Sequence, residues 1–442
     1  MPLEVIAIFD IGKTNKKFFL FDKTLQEVKQ EYINIPPIED EDGDPCEDLP
    51  TLTAWVRKKI NEVCASSAYH LIGLNFSTYG ASFVNVGDNG EPATPLYNYL
   101  KDFPADLQEA FFASYPEETN NQETASPTLG MLNSGLQLYW LKKRKPELFA
   151  RVHRSLHLPQ YMSFIFTGKY VSEPTSIGCH TRLWDFARQD YHAWVKNEGI
   201  DKILAEIVPT THIIPTKICG HIVNVGVGIH DSSSALAAYL VKNDEPFILI
   251  STGTWSITLN PFTEEILSLS DLQNDCLNYL TIHGKSVKAS RFFLGHEFDH
   301  QIKRLNQLFN KPDKYYKTVA PDETILEQIK EGRIKNSFYP DTILRSPFIT
   351  ALFPENEWKP ETYGSFEEAY HQLVWGLTRI QVDSFLLAKG NSNVKKVYID
   401  GGFVHNEVFI NLLRHFLSDY SLEFSDVPLG SAYGAALMLN VE

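Results

Sequence analysis

Two stretches hold the residues best equipped for chemistry. Gly228-Ile229-His230-Asp231-Ser232-Ser233-Ser234 sets a carboxylate at the head of a small, apolar run, and Ile250-Ser251-Thr252-Gly253-Thr254-Trp255-Ser256 follows one element later. Amides at a helix N-terminus favour a carboxylate and keep it ionised at neutral pH, able to accept a hydroxyl proton. A Gly/Thr turn between two β-rich runs offers amides and hydroxyls to phosphate oxygens. The pair is equipped to deprotonate a hydroxyl beside a bound phosphate chain. Phosphoryl transfer asks mainly for positioning and charge neutralisation, so a low-pKa base is adequate. The plainer readings are an N-cap for Asp231 and an ordinary turn for residues 251–254.

Two further stretches fit the same chemistry. In Asp10-Ile11-Gly12-Lys13-Thr14-Asn15-Lys16-Lys17, Gly12 lets the backbone approach a phosphate and Thr14 and Asn15 can donate to its oxygens. Lys13, Lys16 or Lys17 can offset its charge, and Asp10 can hold Mg²⁺ through water. A hairpin turn with solvated lysines is the competing reading. No Gly-x-x-x-x-Gly-Lys-Ser/Thr loop is present. Gly401-Gly402-Phe403-Val404-His405-Asn406 offers bare backbone to an adenine or ribose, with Asn406 to hydrogen-bond, or else closely packs a strand on a helix. The small residues of Gly430-Ser431-Ala432-Tyr433-Gly434-Ala435-Ala436 either line the same pocket or pack a helix tightly.

The elements that position these residues form two similar units. Val5 to Phe9 reads as a strand, 10–16 as a polar turn and Lys17 to Asp22 as the return strand; Phe247 to Ile250, 251–254 and 255–259 repeat the pattern half a chain later. The polar stretch 241–246 ends in proline and marks a boundary, giving domains 1–243 and 244–442. Ser365 with Glu368 predicts a capping box for a helix that stops at Gly390, and Val408 to Leu417 repeats at helical spacing after the strand 397–399. The proline-rich acidic segment 36–50 and the segment 310–323 read as exposed loops.

Composition bounds the function. The chain has 442 residues, enough for two domains with real cores, and its 40 basic against 55 acidic side chains give −15, which argues against nucleic acid or an anionic membrane as partner. No apolar run approaches the roughly 18 residues of a membrane span, and no signal peptide is expected. Five scattered cysteines without Cys-x-x-Cys spacing predict reduced thiols and a cytoplasmic protein.

Taken in order, Asp10-Ile11-Gly12-Lys13-Thr14, Ser251-Thr252-Gly253-Thr254-Trp255-Ser256 and Asp400-Gly401-Gly402 through Asn406 resemble the FGGY carbohydrate kinases over nearly the whole chain. The resemblance implies an α/β fold of two actin-like ATPase (ribonuclease H-like) domains, with the active site in the cleft between them. It implies ATP and Mg²⁺, a small-molecule sugar as partner, and a monomer or homodimer. By this resemblance Asp231 is the base, Asp10 the metal partner, and Gly12, Lys13, Thr14, Asn15, Lys17, Gly253 and Thr254 the phosphate-binding residues. Gly401, Gly402 and Asn406 fall on the adenosine segment. Thr78, Tyr79, Gly80, Gln160, His180, His230 and Asp231 are the candidates for the sugar, with Ser77 and Thr175 beside them. His230-Asp231 followed by Gly253-Thr254-Trp255-Ser256 is similar to the L-rhamnulose and L-fuculose kinase branch, whose product is a ketose 1-phosphate. Lys13 stands where the family commonly has Thr or Ser, Tyr97-Asn98-Tyr99 where it often has an aromatic-x-Asp, and Gln160 where an acidic residue is usual. The rivals are a catalytically silent sugar or nucleotide sensor of the same fold, an actin- or chaperone-type ATPase, and a kinase for another sugar or polyol such as xylulose or glycerol.

Overall fold

In the computed structural model, residues 1–263, 265–333, 338–353, 357–425 and 430–439 are described. The chain forms two compact units, Met1–Asp244 with Asn278–Ser286 and Leu429–Glu442, and Glu245–Leu277 with Val287–Pro428. The sequence suggested a single cut at 243/244. The contacts instead return two later segments to the first unit, a grouping that no linker composition advertises.

The first unit is built on a mixed sheet. Its strands are β1 (Leu3–Ile11), β2 (Lys16–Asp22), β3 (Glu27–Ile33), β4 (Tyr69–Thr78), β5 (Ile213–Ile218), β6 (His221–Gly226) and the short β7 (Ile229–His230). The order is β5-β6-β4-β1-β2-β3, with β7 also on β4. Strand β1 is antiparallel to β2 and parallel to β4. Because side chains alternate faces along a strand, Val5, Ala7, Phe9 and Ile11 enter one core while Ile6 and Ile8 enter the other. The first core is closed by α1 (Leu49–Ala65), whose Trp55 meets the Phe9 ring edge-on at 5.3 Å. The second is closed by the C-terminal helix Gly430–Leu437 through Ala432, Ala435 and Ala436. Further helices of this unit are α2 (Leu158–Thr167) and α3 (Asp231–Lys242).

The second unit repeats the opening. Strands β8 (Phe247–Thr252) and β9 (Ser256–Asn260) form the hairpin, and β10 (Cys276–Leu280, in this unit at Cys276 and Leu277), β11 (Ser286–Phe292, in this unit from Val287), β12 (Lys396–Gly401) and β13 (Ser421–Ser425) complete the sheet in the order β10-β11-β9-β8-β12-β13. Strand β8 is antiparallel to β9 and parallel to β12, as β1 is to β2 and β4. Helices α4 (Leu294–Leu308), α5 (Phe366–Lys389) and α6 (Glu407–Phe416) belong to this unit. Ser365 caps α5 by accepting from the Glu368 amide at 3.1 Å. The capping box is not completed as the sequence suggested, because the Glu368 carboxylate accepts from the Gly364 amide at 2.8 Å. Gln381 of α5 ties the helix to β9, its Oε1 accepting from Ser256 Oγ at 2.5 Å and its Nε2 donating to Thr258 Oγ1 at 3.1 Å.

Three expectations change. Cys64 and Cys219, 155 residues apart, are joined as a disulfide, leaving Cys46, Cys179 and Cys276 free and buried. Sequence spacing cannot reveal that the end of α1 meets the β5–β6 turn. Segment 36–50 is not an open loop: Ile38–Glu39 pairs with Pro45–Cys46, and Lys101 bridges Asp40, Asp42 and Asp44 at 2.6–2.8 Å. Segment 310–323 contains the helical turn Tyr315–Thr318 and the start of the helix Glu323–Lys330. Among the described residues no helix is long and apolar enough to cross a membrane.

The C-terminal helix lies so close to α3 that a Cβ on Gly434 would fall 1.8 Å from the Ser234 carbonyl oxygen, while Ser234 Oγ donates to Ser431 O at 2.6 Å. Gly434→Val should therefore lower the melting temperature, costing on the order of 1–3 kcal/mol through overpacking. Gly430→Ala, whose Cβ would meet Ala235 Cβ at 3.5 Å, serves as the control and should melt near wild type. Equal melting of the two variants in a calorimetric scan would contradict this packing.

Candidate active site

The first unit brings two carboxylates to one sheet end by strand register. Strand β4 lies between β1 and β7 and runs parallel to both; Asp10 pairs with Ser77 and Ile11 with Thr78 on one side, Ile229 with Ser77 and His230 with Thr78 on the other. Ligand sites of such sheets lie beyond the carboxyl ends of the strands. Asp231 leaves β7 there as the first residue of α3. His230 occupies the cap position without a side-chain cap bond, so Asp231 is not the cap that the plain reading suggested. Asp231 Oδ1 accepts from the Ser232 amide at 2.6 Å and from Ser232 Oγ at 3.3 Å. Burial pushes the Asp231 carboxyl up to about 6, with those two donors pulling it partly back. Its side chain nevertheless keeps 32% of its accessible surface, enough to meet a small molecule.

Asp10 is 9% exposed; its Oδ1 accepts from Ser431 Oγ at 2.9 Å and its Oδ2 lies 3.6 Å from Lys17 Nζ. Burial raises its pKa and the charge of Asp231 adds to that, while Lys17 and Ser431 oppose it. Oδ2, at 3.6 Å from its cation, retains lone pairs for a hard ion. A single carboxylate of this kind fits Mg²⁺ held through water, the mode in which this ion keeps most of its hydration.

The first turn divides its side chains between two directions. The Gly12 amide donates to Asn15 O at 2.9 Å, closing the turn, and Thr14 and Asn15 are exposed. Lys17 faces Asp10, but Lys16 is 1% exposed and paired with Glu47 at 2.8 Å. The Lys13 ammonium lies 5.2 Å from the ring centroids of both Tyr79 and Tyr99, and burial lowers its pKa. Lys13 thus turns away from Asp10, which Lys17 alone of the three lysines faces. Sequence reasoning missed Glu47, while Tyr99 belongs to the Tyr97-Asn98-Tyr99 stretch it had singled out. Glu47 sits in a segment read as exposed, with nothing in its neighbours to mark it as buried.

Several sugar candidates are engaged in holding the sheet end together. Thr78 Oγ1 donates to Tyr79 O at 3.0 Å, and the Tyr79 hydroxyl donates to Glu47 Oε2 at 3.1 Å. A Cβ on Gly80 would meet Cys179 Sγ at 2.9 Å and His230 Cδ2 at 3.0 Å. Gln160 of α2 is fully buried; its Nε2 reaches Gly228 O at 3.2 Å and Val227 O at 3.3 Å, which fixes the chain just before β7. His180 donates from Nδ1 to Leu132 O at 3.0 Å. Thr175 Oγ1 accepts from the His230 amide at 3.1 Å and donates to the buried Glu173 at 2.8 Å. Tyr97 stacks edge-on against Trp140 at 4.9 Å and donates to Glu41. Tyr99, in contrast, lies in the field of Asp231: burial and then the charge of Asp231 raise its phenol to about 12.

The second unit holds a cavity of about 810 Å³ lined among others by Gly253, Thr254, Gly402 and Asn406. A Cβ on Gly402 would meet nothing within 4 Å, so its bare backbone opens to the cavity. Gly401 does not line it; with φ +89° and a notional Cβ 1.8 Å from Thr252 O, it serves the close approach of β12 to β8. Asn406 Oδ1 caps α6 by accepting from the Phe409 amide at 3.1 Å. Tyr316 to Ala320, within the segment read as a loop, and Tyr370 also line it. The volume and the mix of aromatic and bare-backbone walls suit a nucleoside.

Comparison with known proteins bears on the family and the fold. A model described as the FGGY family of carbohydrate kinases, N-terminal domain, matches residues 5–230, and one described as carbohydrate kinase FGGY, C-terminal domain, matches residues 244–330. A rhamnulokinase of Halalkalibacterium halodurans is 23% identical over 275 residues, 56% of this chain and 52% of that protein. One of Oceanobacillus iheyensis is 27% identical over 204 residues, 43% and 42% of the two. The chain thus spans about half the length of the curated relatives it matches. A solved carbohydrate kinase from Novosphingobium aromaticivorans superposes with a TM-score of 0.82 at 22% identity, over 100% of this chain and 92% of that one. A ligand-bound xylulose kinase from Lactobacillus acidophilus gives 0.77 at 16% identity, over 99% and 89%. These solved structures share the fold of two α/β units, and with the two family models in chain order they lead to one conclusion: the chain belongs to the FGGY family of carbohydrate kinases.

Proposed function

We propose that this protein is an ATP- and Mg²⁺-dependent kinase of a ketose of the L-rhamnulose or L-fuculose type, giving the 1-phosphate, with Asp231 as the general base. The observation that carries the reading is the half-exposed carboxylate of Asp231 at the sheet end it shares with Asp10. The acceptor hydroxyl gives its proton to Asp231 as its oxygen bonds to the γ-phosphorus, while the bond from that phosphorus to the bridging oxygen breaks and ADP leaves. The base acts late in such a transfer. Asp10 would hold Mg²⁺ through water, and that ion supplies charge neutralisation at the phosphate oxygens. Lys17 adds a cation beside Asp10. The cavity of the second unit takes the nucleoside, with Gly402 against the ring or ribose.

The substrate class rests on the walls around the base and on the similarity to rhamnulokinases over half their length. Tyr99 lies within the field of Asp231, and the Tyr79 and Tyr99 rings meet at 6.0 Å. A 6-deoxy sugar presents a methyl group in place of a hydroxyl, and an aromatic wall loses little by meeting a methyl. In a panel of L-rhamnulose, L-fuculose, D-xylulose, gluconate and glycerol, read as ADP release with ATP and Mg²⁺, a deoxyketose should give the highest kcat/KM. A maximum on glycerol or gluconate would refute the branch assignment, and ADP release unaffected by every acceptor would refute the kinase.

The pH dependence follows from the raised carboxyl of Asp231. Only the ionised form accepts a proton, so kcat should be flat above neutrality and fall below a midpoint near 6, by about tenfold per pH unit. The stability effect has the opposite sense. A carboxyl whose folded pKa lies above its unfolded value stabilises the fold in its protonated form, and that contribution is lost as pH rises through about 6. Turnover would thus decline on acidification without unfolding being its cause, provided circular dichroism at pH 5.5 matches that at pH 8. An acid limb that coincides with loss of structure would contradict the assignment.

A further inference from the structure

The acidic stretch Asp40-Glu41-Asp42-Gly43-Asp44 has no part in the chemistry described so far. It closes on itself: Asp40 Oδ1 accepts from the Asp42 amide at 2.9 Å and the Asp44 amide at 3.0 Å, and the Asp40 carbonyl accepts from the Gly43 amide at 3.0 Å. The three aspartates stand close enough to chelate one cation, and the cation they hold is Lys101. Its ammonium lies 2.6, 2.8 and 2.7 Å from Asp40, Asp42 and Asp44. The Lys101 side chain keeps 7% of its accessible surface and that of Asp40 none, so the grip differs from the exposed ion pairs that water screens.

Lys101 ends a tight turn that carries Tyr99. The Lys101 amide donates to Asn98 O at 3.0 Å and the Leu100 amide to Asn98 Oδ1 at 3.0 Å, so Tyr99 has little backbone freedom once Lys101 is held. The acidic loop also meets the start of this stretch, where Glu41 accepts from the Tyr97 hydroxyl at 2.5 Å. Lys145, just past the helix Ser134–Arg144, bridges Glu41 and Asp42 at 2.7 Å and ties the loop to that helix.

The chain leaving the loop pairs Pro45–Cys46 with Ile38–Glu39 and reaches Glu47. The Glu47 amide donates to Leu96 O at 3.3 Å, just before Tyr97, and its carboxylate takes Lys16 at 2.8 Å and the Tyr79 hydroxyl at 3.1 Å. One hairpin therefore holds two rings, Tyr99 through Lys101 and Tyr79 through Glu47. Those rings meet at 6.0 Å, with the Lys13 ammonium 5.2 Å from each, and Tyr99 is the one in the field of Asp231.

We propose that the hairpin 38–47 is a positioning element for the acceptor: the grip of Asp40, Asp42 and Asp44 on Lys101 sets Tyr99, and Glu47 sets Tyr79, so that the two rings present a fixed wall to the sugar. The proposal rests on the reading of Asp231 as the base and of these rings as the walls around it. A binding wall must be held to about 0.5 Å, which side chains on a free loop do not achieve. Without the ammonium the three aspartates repel one another and the loop opens, releasing the turn that carries Tyr99. The acidic composition of the segment thus has a task that solvation alone does not explain.

Lys101→Met keeps a long unbranched side chain and removes the ammonium. For the acceptor with the highest kcat/KM, the sugar KM should rise about tenfold, while kcat and the ATP KM stay within about threefold of wild type. Tyr99→Ala should raise the sugar KM by a similar factor, and the double variant by no more than Tyr99→Ala alone, because a grip that acts through Tyr99 then has nothing to act on. Should Lys101→Met not fold, Asp44→Asn removes a half-exposed arm of the grip and should raise the sugar KM by roughly two- to threefold. Lys59→Met, which breaks a pair with Glu31 and Glu62 at 2.6 Å, should leave the sugar KM unchanged. In protein with carbon-13 tyrosine rings, the Tyr99 signal, identified by its loss in Tyr99→Phe, should shift or broaden in Lys101→Met and Asp44→Asn and stay in place in Lys59→Met. An unmoved Tyr99 signal, or effects of Lys101→Met and Tyr99→Ala that multiply in the double variant, would overturn the proposal. The spectrum needs no turnover, so a protein that phosphorylates no sugar would sink the functional reading while the Tyr99 signal still decides whether the grip sets that ring.

Discussion

The register of β4 between two parallel neighbours is the constraint on which the site depends. A parallel ladder fixes which residues stand side by side, and here it sets Asp10 beside Ser77 and His230 beside Thr78. Slipping either pairing by one residue would turn the affected side chains to the other face of the sheet, moving Asp10 from the face it shares with Ile6 and Ile8 to that of Phe9. The register is held by full burial on both faces: Phe9 and Phe76 stack at 5.7 Å on one side, and the C-terminal helix covers Ile6 and Ile8 on the other. Asn75 adds a polar lock, donating to Ala435 O at 2.8 Å and accepting from the Gly228 amide at 3.0 Å. The carboxylates gain their raised pKa from the same burial, so the packing that orders the sheet end also tunes its chemistry.

Around that end lies an unusual amount of buried polarity for a hydrophobic scaffold. Lys16 and Glu47 form an ion pair with both side chains nearly inaccessible, and Tyr79 donates to the same glutamate. Glu173 accepts from the Thr175 and Ser176 amides and from the Thr175 and Thr210 hydroxyls, at 2.6–2.8 Å. A buried carboxylate is tolerated only when its lone pairs are used in this way. Removing one partner from either group would leave a charge stranded, whereas the pair as a whole contributes more to fixing a single arrangement than to stability. Such groups surround functional sites because a small molecule is held only by walls that do not shift.

The repeated hairpins, the two glycine turns and the carboxylate at a helix start were legible from residue type and spacing alone, because each is a local pattern with a local cause. The α/β class came with the family resemblance that the chain order of these motifs carries. What the sequence hid is non-local. Nothing near Glu47 announces that it pairs with Lys16, nothing near Cys64 points to Cys219, and the wall at Tyr316 to Ala320 lies in a stretch whose composition reads as a loop. Lys13 shows the limit most clearly: its place in the turn suggested a phosphate contact, while the side chain turns to Tyr79 and Tyr99, which approach only through the fold. Gly401 and Gly402 adjoin in sequence yet differ in purpose, one allowing two strand ends to meet and the other lining the cavity.

The central claim is that Asp231 removes the acceptor proton, and the most direct measurement is turnover of Asp231→Asn with ligand binding measured on the same preparation. Asparagine keeps the shape and the oxygen that accepts from Ser232 but is not a base. With ATP and the best ketose both bound in calorimetry, kcat should fall by on the order of 10² to 10⁴, and the melting temperature at pH 8 should equal or exceed wild type because a buried charge has been removed. A variant that binds both ligands and still phosphorylates the sugar within a few-fold of wild type would contradict the account.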